Sequence, residues 1–246
     1  MHRFLVSSEA IAGETPTLGG EVRRHLKVVR PKDGEKVELF DGAGKVRHYE
    51  VVINGRDFTF RAVDEVEHHV RPETGFKLFA CITKGSRWDW TIEKATELGV
   101  TEIVPVISER TIVRIAAEER AAKRERWQRI AEDAARQSDA VYLPKIHAAT
   151  PFDEAVAMAA KTECFIGALT TPPSPMLGEA IGKSKATSAD YGVFIGPEGD
   201  FTPEELARLM KVATPASFGT TILRAETAAI YALSVIKSKL DSKGMK

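Results

Sequence analysis

Cysteine is nearly absent: Cys81 and Cys164 are the only two in 246 residues. They are too few and too far apart for a disulfide scaffold or a zinc ribbon, so the sequence predicts buried free thiols in a reducing compartment. Net charge is absent too, because 35 Lys and Arg balance 35 Asp and Glu. No global charge advertises nucleic acid, and any such role must rest on a local patch. MHRFLVSSEAIAG lacks a signal-peptide apolar core and no apolar run approaches a membrane span; the chain is expected to be cytoplasmic, with no membrane partner. Five of the six histidines precede residue 72, none at a convincing metal spacing, so no metal is expected.

Several signature loops are missing as well. No G-x-G-x-x-G follows a strand pattern and no G-x-S-x-G occurs, which removes the marks of a dinucleotide fold and of a serine-hydrolase elbow. GEAIGKS at 178–184 is not a phosphate loop: Gly178 lies one residue too close to Gly182, and no strand leads into it.

What is present falls into two patterns. From about residue 3 to 71, short β segments (RFLV, KVELF, KVRHYEVVI, FTFRAV) alternate with turns such as DGAGK and NGRD. After HHVRPETG, strands and helices alternate: KLFACI, a helix through WDWTIEKATEL capped by Gly99, EIVPVI, a long polar helix near 118–138, KIHA, FDEAVAMAA, ECFIGAL, YGVFIG, and a last helix from about Arg224. Alternation of that kind predicts an α/β fold with a mostly parallel sheet covered by helices.

Chemistry concentrates at two strand-to-helix junctions. In FIGPEGDF the apolar run breaks at Gly196, and Thr202-Pro203-Glu204-Glu205 reads as a capping box with proline at the first helical position. The loop between is thereby pinned. A phosphate loop gathers amides and a lysine, whereas Glu198 repels an anion; this loop suits a hydroxyl-bearing or cationic ligand. In FGTTILRAETAAIYALSVI, Arg224 and Glu226 stand at the mouth of an Ala-rich helix, as a structural ion pair or as one wall of a pocket. RRHLKVVRPK carries Arg23, Arg24, Lys27, Arg30 and Lys32 without an acid, either as a solvated helix face or as a phosphate contact.

Taken together, RFLV, HLKVVR, KGSRWDWTIEKATELGV, SERTIVR, RWQRIAEDAARQS, FIGPEGDF and ILRAETAAIYAL resemble the RsmE family of 16S rRNA uracil-N3 methyltransferases, of the SPOUT class. The resemblance implies a PUA-like RNA-binding β-barrel over 1–72 and a knotted α/β methyltransferase domain, with a deep trefoil knot, over 73–246. It implies S-adenosyl-L-methionine as cofactor, held at Leu169 and Thr170 of GALTT, at Ile195, Gly196, Glu198 and Gly199, and at Ile222, Leu223, Arg224 and Thr227. A cationic sulfonium with ribose hydroxyls and no phosphate is the ligand type that a loop carrying Glu198 tolerates. RNA contacts are expected at Arg3, Arg23, Arg24, His25, Lys27 and Arg30, and at Lys84 and Arg110. The implied partners are small-subunit rRNA or the 30S particle and a second copy of the chain, as a homodimer.

For the chemistry, Arg224 is the expected cation near the uracil carbonyls, with Glu198 and Glu226 as candidate bases at N3. Two departures from the family's pattern stand out: Asp200 where a second glycine is usual, and Asp139, Ala140 and Val141 where an arginine follows Gln137-Ser138. Rival readings are a ribosome assembly factor of the same fold with an idle pocket, and a SPOUT enzyme acting on tRNA. Cofactor binding separates the first of these from an active methyltransferase.

Overall fold

Short alternating β segments and longer helix periods build two compact units, one from Met1–Arg71 with Glu132–Leu143, the other from Pro72–Ala131 with Pro144–Lys246. The computed structural model describes residues 1–55, 57–168, 172–184 and 190–244, and of Glu21 and residues 243 and 244 the backbone alone. Among the described residues no helix is long and apolar enough to cross a membrane.

The first unit runs β1 (His2–Leu5), α1 (Ser8–Ala12), α2 (Gly20–Val29), β2 (Lys36–Phe40), β3 (Lys45–Asn54), β4 (Asp57–Ala62) and β5 (Glu67–His68). The strands lie in the order β1-β2-β3-β4, with β5 beside β3. Pairing is antiparallel from β2 onward, whereas β1 joins β2 in parallel, because α1 and α2 lie between them in the chain. In the β2–β3 turn Asp41 Oδ1 accepts from the amides of Ala43 and Lys45, the local bonding that favours Asp there. Phe4, Leu26, Val37, Leu39, Tyr49 and Phe60 fill the core. Val22, Leu26 and Val29 share one stripe of α2 at helical spacing, with Leu26 fully buried, which leaves Arg23, Arg24, Lys27 and Arg30 exposed.

The second unit begins with β6 (Phe76–Cys81), α3 (Ser86–Glu97) and β7 (Glu102–Ile107). A single 3₁₀ turn then leads into α4 (Arg120–Gln137), whose residues from Glu132 onward count with the first unit. There follow β8 (Lys145–Ile146), β9 (Thr150–Pro151), α5 (Phe152–Met158), β10 (Glu163–Gly167), α6 (Leu177–Lys183), β11 (Tyr191–Ile195), α7 (Pro203–Leu209), β12 (Ala213–Ala216) and α8 (Ala225–Gly244). GEAIGKS forms most of α6 and not a loop.

All these strands are parallel, in the order β12-β10-β11-β6-β7-β8, with β9 beside β7. Strand alternation sorts the core into two layers. Leu78, Ala80, Phe165, Val193 and Ile195 face one layer with Trp88, Ile92, Leu233 and Ile236. Phe79, Cys81, Ile166 and Phe194 face the other, with Phe152 and Leu209. Helices cover both faces, as a parallel sheet requires. Burial pushes the thiol of Cys81 up to about 11 and that of Cys164 up to about 12. At the start of the strands Lys77 Nζ lies 2.9 Å from Glu102 and 3.0 Å from Asp190, and His147 Nε2 lies 2.7 Å from Glu102.

Candidate functional site

Strands β12, β10 and β11 are neighbours, and they end at Ala216, Gly167 and Ile195. Loops leaving the carboxyl ends of adjacent parallel strands diverge and leave a crevice between them. Here the crevice is a cavity of about 720 Å³, a size typical of small-molecule sites. The loop after β11 and the 217–224 loop form most of its wall, Arg224, Ala225 and Ala228 close it at the entrance of α8, and Arg87 reaches it from α3.

The loop after β11 is rigid for local reasons. Thr202 Oγ1 accepts from the Glu205 amide at 3.2 Å and Glu205 Oε2 accepts from the Thr202 amide at 3.0 Å, so the capping box read from the sequence is present, with Pro203 opening α7. Glu205 Oε1 also accepts from the Glu109 amide at 2.9 Å. The Arg110 guanidinium donates to the Gly199 carbonyl at 2.9 Å. Between these anchors Asp200 has φ 58° and bonds the Phe201 amide through its own Oδ1 at 2.8 Å. That left-handed conformation is free for glycine, and Asp is one of the few side chains that tolerate it. The 217–224 loop turns at Gly219, φ 124°, and leaves Ile222 95% exposed at the cavity.

Of the residues expected to bind cofactor, Ile195, Gly196, Glu198, Ile222, Leu223 and Arg224 line the cavity, and Gly199 and Thr227 lie outside its lining. Leu169 and Thr170 fall outside the described residues. Among the three expected to do chemistry, Glu198 and Arg224 share the cavity. Glu226 is not in the lining, and its Oε2 is buried with no hydrogen-bond partner among the described residues. Sequence reasoning missed Arg87, whose guanidinium lies 3.1 Å from Glu198 Oε1. Its only signal was a position inside KGSRWDW.

The expected RNA contacts divide. Arg23, Arg24, Lys27 and Arg30 are exposed in the first unit, and Lys84 and Arg110 in the second; His25 is half-buried with its ring against Phe4. Arg3 is a correction. It is only 7% exposed, pairs with Glu38, donates to the Ala135 carbonyl at 2.9 Å and lies over the Phe40 ring. A guanidinium engaged on every side by its own unit is structural and offers nothing to a phosphate. Asp139, at a position where the family's pattern differs, has φ 54° and lies 3.6 Å from that same guanidinium.

Comparison with known proteins matches an RNA methyltransferase domain to residues 71–237 and an RNA methyltransferase PUA domain to residues 18–63. The chain is 33% identical to the ribosomal RNA small subunit methyltransferase E of Synechocystis, over 98% of this chain and 78% of that protein. The chain belongs to the RsmE family. The RsmE protein of Neisseria gonorrhoeae, solved bound to S-adenosyl methionine, is similar at 28% identity with a TM-score of 0.84, over 97% of this chain and 98% of that one. A methyltransferase of Legionella pneumophila in complex with the same cofactor is 29% identical, with a TM-score of 0.84, over 96% and 97% of the two chains. The RsmE fold, a SPOUT-type α/β methyltransferase unit with a PUA-like companion, is thus the fold of this chain.

Proposed function

We propose that this chain methylates N3 of a uridine in small-subunit rRNA, with S-adenosyl-L-methionine as methyl donor. The observation that carries the reading is the cavity at the ends of β12, β10 and β11, walled by the GPEG and TTILRAET segments and containing Glu198 and Arg224. Support comes from the RsmE protein of Neisseria and the methyltransferase of Legionella, both solved with that cofactor.

The described residues fit such a ligand. The cavity lining carries two acids, Glu198 and Asp200, beside two arginines, Arg87 and Arg224, so carboxylates are present to face a sulfonium and to accept from ribose hydroxyls. Ile195, Leu223 and Ala228 offer apolar surface for the adenine, and the backbone of the two loops offers carbonyls to ribose hydroxyls. When bound, S-adenosylmethionine supplies a methyl group whose carbon–sulfur bond breaks, with its electron pair kept by sulfur, as the uracil N3 pair forms the new bond.

The protein's task is to position the base and favour loss of its N3 proton. Glu198, inside the cavity, takes that proton; Glu226, outside the lining, does not. Arg224 faces the negative charge that spreads over the uracil carbonyl oxygens as the proton leaves. Residues 1–72 act as the RNA-holding module, with Arg23, Arg24, Lys27 and Arg30 on phosphates, and residues 73–246 as the knotted methyltransferase domain acting in the cytoplasm. Two copies form the working enzyme, and light scattering should report about twice the 27.0 kDa chain.

Mass spectrometry of nucleosides from small-subunit rRNA, in cells with and without the protein, tests the function. 3-Methyluridine should vanish with the protein and return with its expression. An unchanged level would refute the reading.

A further inference from the structure

We infer that Arg87, Glu198 and Arg224 together read the Watson–Crick edge of the target base, and that this donor–acceptor–donor set admits uracil and rejects cytosine. The inference rests on the uridine methylation proposed above and adds to it a residue and a basis for selectivity.

The argument starts from the edge of the base. Uracil presents an acceptor at O4, a donor at N3–H and an acceptor at O2. Cytosine presents a donor at its amino group, an acceptor at N3 and an acceptor at O2. A guanidinium only donates and an ionised carboxylate only accepts. Within the cavity the structure sets one acidic group beside one basic group, Glu198 Oε1 at 3.1 Å from Arg87 Nη2, and a second guanidinium, Arg224, lines the same space. Two guanidiniums and one carboxylate in a single cavity match in kind the two acceptors and one donor on the edge of uracil.

For cytosine the same set is wrong at two of the three. The N3 lone pair would meet the Glu198 carboxylate, and the amino group would meet a guanidinium. Unpaired and repulsive groups in a pocket discriminate between ligands far more strongly than a missing methylene does. The ion pair has a second consequence. Glu198 is held in place by Arg87 before a base arrives, and a guanidinium has five N–H groups, so donors are left over for a carbonyl oxygen after one is spent on Glu198. Arg87 and Glu198 are both partly exposed, which leaves them accessible to a base turned out of its stack.

The test uses RNAs carrying uridine, 2-thiouridine or 4-thiouridine at the target, with wild type, Arg87→Ala and Arg224→Ala, in single turnover at saturating RNA and donor. Sulfur accepts hydrogen bonds more weakly than oxygen. Its effect on N3 acidity is common to all three enzymes and cancels when their thio-to-oxo rate ratios are compared. Each variant should lose its sensitivity to one thio substitution and keep the other. Wild-type ratios in both variants would overturn the inference.

A second readout involves no chemistry. With S-adenosylhomocysteine present, wild type should bind uridine RNA at least about tenfold more tightly than cytidine RNA, the floor set by a single charge-assisted hydrogen bond. Arg87→Ala should narrow that gap to about threefold or less, and Arg87→Lys, which keeps the charge without the fork, should restore part of it. An unchanged gap in Arg87→Ala counts against the inference. A wild-type protein that binds the donor yet leaves uridine N3 unmodified would sink the underlying function as well. Unchanged ratios in a working enzyme would sink the edge reading alone.

Discussion

Glu205 is the residue whose removal should most directly loosen the site without touching it. Its carboxylate accepts from the Thr202 amide at 3.0 Å and from the Glu109 amide at 2.9 Å, and the residue is buried. Glu205→Ala leaves the buried Thr202 amide unpaired, at about 1–3 kcal/mol, and the Glu109 bond, on an exposed residue, adds about 0.5–1.5 kcal/mol. The sum is about 1.5–4.5 kcal/mol. Thr202→Ala removes only the acceptor for the Glu205 amide, at about 1 kcal/mol. Glu205→Gln should fall between them, because it keeps one acceptor oxygen and turns an amino group toward the other amide. Urea unfolding at neutral pH, followed by tryptophan fluorescence, measures the ordering, since Trp88, Trp90 and Trp127 all lie in the second unit. S-adenosylmethionine affinity should fall in the same order, because the capping box and the Glu109 bond anchor the loop carrying Glu198. If Glu205→Ala stays within about 0.5 kcal/mol of wild type, or is milder than Thr202→Ala, the reasoning fails.

Three further outcomes are expected. A Cβ at Gly196 would stand 2.9 Å from Asp200 Oδ1 and 3.3 Å from the Phe201 ring, so Gly196→Val should reduce S-adenosylmethionine binding at least tenfold by calorimetry; equal affinity would remove the loop from the site. Neutralising Arg24 and Arg30 together should weaken RNA binding and flatten its salt slope by roughly 1–2, with cofactor affinity unchanged in titrations of both ligands. Burial pushes Glu102 up, but the bonds from Lys77 and His147 outweigh it and hold its carboxyl below the ordinary value. Its contribution is therefore full above 4.5 and lost as pH falls through the lowered value. Glu102→Gln should cost stability at neutral pH, with a deficit that shrinks in acid; a deficit that grows in acid would contradict the linkage.

Much of the architecture was legible because local signals agreed. Thr202, Pro203 and Glu205 announced the start of α7 by type and spacing, and Gly99, with φ 83°, follows α3 where its turn signal placed it. What stayed hidden was non-local or weakly patterned. The edge strand β12 reads ATPA, too short and too rich in Ala and Pro to look like a strand. Arg3 reads as one more basic side chain near a basic run, and only tertiary structure shows Glu38 and the Ala135 carbonyl enclosing it. The meeting of Arg87 with Glu198 joins α3 to a loop far along the chain, and no period or spacing reports on such a contact. Asp200 stood out by its type, but the left-handed backbone behind it is visible only in coordinates.

The two buried thiols make the sheet its own stopwatch. Cys81 and Cys164 are shut within one apolar layer and held almost wholly protonated, so an alkylating reagent meets neither a thiolate nor a path to one. Labelling must wait for the layer to part, and its rate counts those openings. Cys164 lies near the start of β10, one of the strands whose carboxyl ends form the cavity, and Cys81 at the end of β6, beside β7. Comparing the two labelling rates with and without S-adenosylmethionine would therefore tell apart a ligand that quiets only the strands beneath its pocket from one that steadies the whole layer.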